Sequence, residues 1–153
     1  MLPPWGSDMS KLLAREYRSI LCGELLGGGM SRKVYANRLD PATVVKIETR
    51  ARMFQNIKEW ETWQEFQYGL GKFLAPCVAI SACGLILIQK RVEPLRKSEA
   101  PEKMPAFLTD FKLSNYGMFE KRVVCCDYGT NLAISTGTSA RMTNVERRGG
   151  WSE

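Results

Sequence analysis

The residues best suited to chemistry lie in the second half of the sequence, on either side of a short apolar segment. Four residues separate Asp110 from Asn115, and Asp127 directly follows the apolar residues 123–126. If a hairpin folds the chain back between them, three oxygen-bearing side chains converge. Carboxylate and amide oxygens are the ligands that Mg²⁺ prefers in proteins. The spacing therefore predicts a site for a hard cation formed by Asp110, Asn115 and Asp127.

Three consecutive glycines near the start of the sequence could hold phosphate groups. Gly27, Gly28 and Gly29 lie between two strand-like segments. A glycine has no Cβ, so its backbone can approach a phosphate closely. The ending G-K-[ST] is missing, which excludes a Walker A loop. A plain turn between two strands is the alternative interpretation.

Lys46 lies in the otherwise apolar segment 44–47 of a β-branched, strand-like run. An unpaired ammonium group would be costly to bury there, so the lysine either faces solvent or has a carboxylate partner. The following helix offers Glu59, which shares one helical face with the aromatic residues four and seven positions later. Glu61 and Glu65 are the alternative partners. We expect Glu59 to be the one that pairs with Lys46.

The elements that must position these residues follow from hydrophobic periodicity. Steps of three and four residues predict helices, alternation and β-branched runs predict strands, and Gly or Pro residues mark the turns. The predicted order comprises helix 10–17, strands 20–26, 33–37 and 43–48, helix 54–70, strands 78–81 and 85–90, connector 93–105, and hairpin strands 116–119 and 122–126. This order is typical of an α+β fold with a largely antiparallel sheet and one prominent helix.

Length and composition fit an ordinary globular protein. The 153 residues suit one domain, and 44% of them are hydrophobic and 25% charged. The longest apolar runs are too short to cross a bilayer, so we expect no membrane partner. No secretory signal is visible at the N-terminus, and the five cysteines contain no C-x-x-C pattern. We therefore expect a protein of the reducing cytosol.

Two further features of the composition narrow the possible functions. The sequence contains no histidine, which excludes a His-ligated zinc site, a Ser-His-Asp triad and a Cys-His dyad. The formal net charge of +6 favours an acidic or phosphorylated partner. The basic residues are scattered, however, and no nucleic-acid-binding motif is present. We therefore expect nucleic acid not to be the partner.

Four motifs occur in an order that resembles the protein-kinase-like superfamily. They are G-G-G-M-S-R-K-V at 27–34, T-V-V-K at 43–46, L-T-D-F-K-L-S-N at 108–115 and D-Y-G at 127–129. The resemblance covers residues 20–129 and implies a kinase-like fold. It implies a single domain over residues 1–153, in which 1–18 form a lead-in, 19–92 an N-lobe with one αC-like helix and the hinge, and 93–153 a reduced C-lobe.

The resemblance also implies how the N-lobe would bind ATP. The glycines would cover the phosphates together with Val34, and Lys46, held by Glu59, would orient the α- and β-phosphates. The segment 85–92 is similar to the fifth strand and hinge of a kinase. Backbone groups from Lys90 to Val92 would then hydrogen-bond adenine.

The second half of the chain would supply the reaction. By the same resemblance, Asn115 and Asp127 would bind Mg²⁺, and Asp110 would accept a proton from the attacking hydroxyl group. Lys112 would neutralise charge on the γ-phosphate. The implied function is an ATP- and Mg²⁺-dependent phosphotransferase whose phosphoryl acceptor, a protein or a small molecule, stays open.

The sequence departs from the family pattern at several points. Arg32 replaces the third glycine of the loop, and Leu108 and Thr109 replace the usual His-Arg pair. The link from the hinge to Asp110 is short, and no A-P-E motif follows residue 129. We therefore expect most of the peptide-substrate platform to be missing. In this respect the chain is similar to short kinase-like open reading frames of phage and bacterial genomes.

Two other functions remain open at this point. The chain could be a pseudokinase, a nucleotide-binding scaffold that acts through a protein partner. It could also be a basic nucleic-acid-binding protein, for which the net charge is the only support. A reduced C-lobe could leave apolar surface uncovered, and a homodimer would be one way to cover it.

Overall fold

The computed structural model of the chain describes residues 7–50, 52–137 and 139–153. Residues 1–6 of the predicted lead-in lie outside the described residues. The described residues form an α+β structure, as the order of sequence patterns predicts. A five-stranded antiparallel sheet carries most of the first half of the chain, and two smaller sheets carry the second half.

The main sheet consists of five strands of four to seven residues. Its strands are β1 (Cys22–Gly28), β2 (Arg32–Asn37), β3 (Thr43–Glu48), β4 (Cys77–Ile80) and β5 (Ile86–Lys90), in the spatial order β1-β2-β3-β5-β4. Strand β3 has a neighbour on each side and is buried on both faces over its first four residues. Lys46 is one of these four, so its ammonium group must find a partner inside the protein.

Helix α1 (Ser7–Leu21) precedes the sheet and is longer than the predicted helix 10–17. The predicted strand 20–26 is therefore wrong at its start, because the helical spacing of apolar residues continues through Ile20. Leu12, Tyr17 and Ile20 are exposed by 47%, 71% and 54%. The apolar face of α1 is thus largely open. In the described part of the chain, none of the helices has the length and apolar character needed to span a bilayer.

Helix α2 (Gln55–Phe66) packs against the main sheet with one face. The buried residues of this face recur at steps of three and four: Asn56, Glu59, Thr62 and Phe66. The sequence predicted that the helix continues to Gly69 or beyond, and that end is wrong. The N–H of Gln67 still donates to the carbonyl of Trp63, but Gly69 has φ −145° and leaves the helical path. A 3₁₀ turn over Leu70–Phe73 follows.

The second half of the chain contains more strand than the sequence predicts. One small sheet consists of β6 (Glu93–Pro94), β8 (Tyr116–Phe119) and β9 (Arg122–Cys125), and the other of β7 (Lys103–Pro105) and β10 (Met142–Asn144). A four-residue helix, α3 (Ala133–Thr136), lies between β9 and β10. The predicted connector 93–105 is therefore partly wrong. Its strands are short and carry prolines, so sequence alternation could not reveal them.

One hydrophobic cluster joins the two halves of the chain. Phe66 of α2 stacks on Phe107 with ring centroids 4.7 Å apart, and Leu87 of β5 belongs to the same cluster. Tyr116 and Tyr128 are almost completely buried in it. This shared core fixes the segment after β9 against α2 and the main sheet.

The hairpin between β8 and β9 turns where the sequence predicts. Phe119 pairs with Arg122, and the two residues between them, Glu120 and Lys121, have φ values of 47° and 63°. A two-residue turn with positive φ at both positions is favourable for Asn-Gly and strained for other residues. The backbone at Glu120 and Lys121 is therefore strained, and residues that tolerate positive φ would relieve this strain.

We expect the double substitution Glu120→Asn with Lys121→Gly to stabilise the protein by about 1 kcal/mol, because both new residues tolerate positive φ. This gain corresponds to a rise in Tm of about 2–4 °C. Thermal unfolding followed by circular dichroism measures it. Glu120→Gln with Lys121→Gln removes the same charges and keeps the strain, so this control should show no gain. An equal gain in both variants would refute the explanation.

Candidate functional site

A buried ion pair connects the central strand to helix α2. Lys46 is 3% exposed, and its Nζ lies 2.9 Å from Oε2 of Glu59. The ammonium group also donates to the carbonyl oxygen of Cys126. Glu61 and Glu65, the alternative partners, are exposed on the other side of the helix. The structure thus brings Glu59 to Lys46, as the helical face predicts.

Arg32 is the residue that sequence reasoning did not assign to the site. Its Nη2 lies 2.8 Å from Oε1 of Glu59 and 2.6 Å from Oδ1 of Asp127. Its Nη1 donates to Oδ1 of Asn56 at 3.2 Å. One guanidinium therefore links strand β2, helix α2 and the segment after β9. The signal in the sequence was the charged residue at the third glycine position, which the sequence analysis treated only as a departure.

Asn56 is also missing from the predicted site. It is completely buried and donates from Nδ2 to the carbonyl oxygens of Lys46 and Leu85, both at 3.1 Å. It lies one helical turn before Glu59 on the same face. Its amide therefore ties the start of α2 to strand β3 and holds Arg32 at the same time. A polar residue on the buried face of a predicted helix is the signal that could have identified it.

The charges of this cluster shift the pKa of its acids in opposite directions. Burial alone would raise the pKa of Glu59, but Lys46 and Arg32 outweigh it and hold the pKa at about 2. Glu59 also accepts a hydrogen bond at 3.0 Å from the backbone N–H of Tyr128. The carboxyl group of Asp127 is half exposed, but partial desolvation and the nearby charge of Glu59 still raise its pKa, and Arg32 and Lys46 offset only part of this rise. Glu59 thus keeps its negative charge to a lower pH than Asp127 does.

Asp110, Asn115 and Asp127, which the sequence predicts to converge, line one cleft of about 340 Å³. Asn115 donates from Nδ2 to Oδ2 of Asp110 at 2.9 Å and to its carbonyl oxygen at 3.2 Å. The carbonyl oxygen of Asn115 accepts a hydrogen bond from the N–H of Cys126, next to Asp127. Asp110 has φ 50°, so these contacts fix a strained backbone.

The glycine loop, residues 27–31, lies on the other side of this cleft. Gly29 lines the cleft together with residues that the sequence analysis did not predict: Ser31, Arg32, Gln55, Thr109 and Thr130. A Cβ added at Gly29 would meet nothing within 4 Å, which leaves the backbone open to a ligand. Gly129 packs on the start of α2, because a Cβ there would lie 2.6 Å from Oε1 of Gln55.

The other predicted residues lie outside the cleft lining. Val34 pairs with Lys46 in the sheet register, and Gly28 is held against the backbone of Arg32. Lys112 is exposed, and its N–H donates to the carbonyl of Asp110 at 2.7 Å. Gly27 has open space at its Cα.

The hinge prediction needs a correction at two backbone donors. The N–H of Lys90 donates to the carbonyl of Pro76 at 2.8 Å, and that of Arg91 to the carbonyl of Ala42 at 2.9 Å. These donors are used within the protein because β5 pairs on both sides. The Lys90 carbonyl and the backbone of Val92 stay the predicted partners of adenine.

The donor set suits a hard cation of the Mg²⁺ type. Two carboxylates and one amide oxygen face the same cleft, and phosphate oxygens or water can complete the shell of Mg²⁺. One carboxylate oxygen of Asp127 already contacts Arg32, and one of Asp110 contacts Asn115, so each acid has its other oxygen left for a ligand. Among the described residues, His, Cys, Asp and Glu form no group of three that could hold a metal by themselves.

Comparisons with known proteins give no independent assignment. No protein-family model matches the chain, and no curated protein matches its sequence. The functional argument therefore depends on the geometry of the cleft and the charge cluster beside it.

We expect Glu59→Ala to destabilise the protein by about 3–5 kcal/mol, because it leaves Lys46 and Arg32 as uncompensated buried cations. Urea unfolding measures this loss. Glu61→Ala is the matched control on the exposed side of the same helix, and we expect it to change stability by less than about 0.5 kcal/mol. Similar small effects of both substitutions would contradict the assigned role of Glu59.

The lowered pKa of Glu59 predicts a loss of stability in acid. The carboxylate stabilises the folded state above its unfolded pKa, near 4.5, and this contribution disappears as the pH falls toward the folded pKa of about 2. The contribution is on the order of 3 kcal/mol. Urea unfolding between pH 5 and pH 2 should show a smaller loss in Glu59→Gln than in wild type or Glu61→Gln. Asp127 acts in the opposite direction, since a raised carboxyl pKa favours the folded state in acid. Parallel profiles for all three proteins would contradict the prediction.

Proposed function

We propose that this chain is a minimal kinase-like phosphotransferase that binds Mg-ATP in the cleft between the glycine loop and Asp127. The observation that carries the proposal is the common lining of this cleft by Gly29, Asp110, Asn115 and Asp127. These residues are far apart in sequence and belong to three of the four motifs that resemble a kinase. The remaining motif, T-V-V-K at 43–46, supplies Lys46, which pairs with Glu59 of helix α2 in the protein interior beside the cleft.

The chemistry of the lining supports phosphoryl transfer. Such a reaction needs positioned cations and oxygen ligands more than it needs covalent catalysis. Mg²⁺, when bound, neutralises phosphate charge at the site. Asn115 and Asp127 supply oxygen atoms for it, while the backbone at Gly29 leaves room for phosphate oxygens.

Asp110 is the residue suited to accept a proton. Its carboxylate lies on the exposed side of the cleft, where an acceptor hydroxyl group can reach it. Asn115 orients this carboxylate by donating to Oδ2. In the proposed step the hydroxyl oxygen forms a bond to the γ-phosphorus, its proton passes to Asp110, and the bond from that phosphorus to the bridging oxygen breaks to release ADP.

The two lysines have separate roles in this proposal. Lys46 is held by Glu59 and the carbonyl of Cys126, so its ammonium group is oriented before ATP arrives. Lys46 is buried and does not line the cleft, so in this proposal its charge acts on the α- and β-phosphates from behind the cleft wall. Lys112 is exposed beside Asp110, where a flexible cation can approach the transferred phosphoryl group. The exposed position of the acid and of Lys112 leaves the acceptor class open to proteins and small molecules.

A nucleotide-binding scaffold is the second candidate function. The ion pair between Arg32 and Asp127 favours it, because this cation already neutralises a proposed metal ligand. A scaffold would need the shape of the cleft and not the proton acceptor. The two functions therefore differ in their dependence on Asp110.

The experiment compares nucleotide binding and ADP formation in wild type, Asp127→Asn, Asp110→Asn and the surface control Glu61→Gln. We expect Mg-ATP at a hundred times its Kd to stabilise wild type by about 2.7 kcal/mol, or about 5–10 °C in a thermal-shift titration. ATP without Mg²⁺ should give a smaller shift. Asp127→Asn should lose the part of the thermal shift that depends on Mg²⁺, and Glu61→Gln should show the same shift as wild type.

Asp110→Asn separates the two candidate functions. We expect it to keep the Mg-ATP shift and to lower phosphoryl transfer to water or an added hydroxyl acceptor at least about a hundredfold, because it removes a general base. Wild-type binding without any ADP formation would favour the scaffold. No shift with ATP under either condition would refute both candidates.

A further inference from the structure

Arg32 occupies a position where its charge faces the cleft although most of the residue is buried. Its side chain is 8% exposed, and it lines the cleft together with Gly29 and Ser31 of the glycine loop. A glycine at this position would offer a ligand only its backbone. The arginine instead places a permanent cation beside the space proposed for phosphates.

The contacts of Arg32 divide into fixed and exchangeable ones. Nη1 holds Asn56, and Nη2 holds Glu59, and both of these partners are completely buried. The third contact is different, because the Asp127 side chain is 50% exposed and opens to the cleft. A ligand can therefore take the place of Asp127 while Asn56 and Glu59 keep the guanidinium in position.

The hydrogen-bond geometry makes this exchange simple. A guanidinium Nη2 carries two hydrogens, which match its two contacts with Glu59 and Asp127. When Asp127 leaves, one hydrogen on Nη2 is released and points toward the cleft. Phosphate oxygens are strong acceptors for such a charged donor. The arginine does not need to change its rotamer to accept a phosphate.

Each charged side chain has a neighbour of opposite charge both before and after the exchange. Lys46 and Arg32 compensate Glu59 and Asp127 in the free protein, with two charges of each sign. A cation bound by Asp127 and a phosphate bound by Arg32 give each of these two side chains a new neighbour of opposite charge. A phosphate without a cation, or a cation without a phosphate, leaves one partner of the broken ion pair without an opposite charge. The two ligands should therefore bind together better than either binds alone.

We propose that Arg32 is a phosphate-binding residue of the cleft, and that binding of a divalent cation with a polyphosphate exchanges the Arg32–Asp127 ion pair for an Arg32–phosphate and an Asp127–cation contact. This inference extends the proposed function, since the polyphosphate would be the triphosphate of ATP. It concerns the phosphates alone, however, and makes no use of adenine or of the acceptor.

The test measures binding of two probes by calorimetry: inorganic tripolyphosphate with Mg²⁺, and Mn²⁺ alone. We expect Arg32→Gln to weaken Mg²⁺-tripolyphosphate binding at least tenfold, because it removes the phosphate donor. The same substitution should strengthen binding of Mn²⁺ alone, because Asp127 loses its competing cation. Opposite changes for the two probes are the signature of the exchange, since general damage to the cleft would weaken both.

Two further variants complete the design. Lys33→Gln is the matched control, because it removes one positive charge from an exposed position of the same strand. We expect it to change neither affinity more than twofold. Arg32→Lys keeps the charge but lacks the planar fork that contacts three partners at once. Its affinity for each probe should lie between those of wild type and Arg32→Gln. If Arg32→Gln does not fold, the affinities of Arg32→Lys decide the test.

Several results would overturn the inference. If Arg32→Gln binds Mg²⁺-tripolyphosphate as tightly as wild type does, Arg32 is not part of the phosphate site. If only Arg32→Lys folds, wild-type affinities of this variant for both probes lead to the same conclusion. Weakening of both probes would reduce Arg32 to a structural role.

Titration with Mg-ATP separates the inference from the proposed function. If wild type binds Mg-ATP and the Arg32 variants bind it equally well, the inference fails and the proposed function stands. If wild type binds tripolyphosphate through Arg32 but not ATP, the inference stands and the proposed function fails. If wild type binds neither, both fail.

Discussion

The buried carboxylate of Glu59 is the point on which the arrangement of the site depends. It is completely inaccessible to solvent, and a charge in such a position needs compensation from every side. Lys46 and Arg32 provide the opposite charges, and the N–H of Tyr128 provides a further donor. Because these groups come from two strands and from the segment after β9, compensating one charge fixes three parts of the chain relative to α2.

The hydrophobic core strengthens the same connection. The Phe66–Phe107 stack and the buried Tyr128 join α2 to the second half of the chain. The hydroxyl group of Tyr128 donates to the carbonyl of Ala75 at 2.7 Å, so even its polar end is satisfied inside the core. Asp127 precedes this anchored tyrosine directly. Its carboxylate can face the cleft because the next residue holds the backbone in place.

The cleft is therefore polarised between a fixed side and an accessible side. Lys46 and Arg32 are buried and both contact Glu59, and of the three only Arg32 lines the cleft, whereas Asp110 is exposed and Asn115 partly so. A fixed arginine facing an accessible acid is an arrangement that orders an anionic ligand and leaves the end of that ligand open to a second reactant. This division is the physical basis for proposing a transferase before a scaffold. The contact between Arg32 and Asp127 is the feature that both functions must accommodate.

The sequence by itself determined the elements with strong local patterns and the residues that share one element. The β-branched run fixed strand β3 at Thr43–Glu48, and helical spacing placed Glu59 on the buried face of α2. The turn at Glu120 and Lys121 followed from the two apolar strands beside it. The convergence of Asp110, Asn115 and Asp127 was predicted in outline, because a short hairpin leaves few ways to return the chain.

Only the tertiary structure decided the contacts that join distant elements. Arg32 meets Asn56 and Asp127 across 24 and 95 residues, and no local pattern carries information about such pairs. The N–H of Lys90 is used by Pro76 because β4 pairs with β5, a register that periodicity does not specify. Periodicity reports which side of an element is buried. Packing decides which charged residues meet on the buried side, because a buried charge can pair only with residues that the fold places next to it.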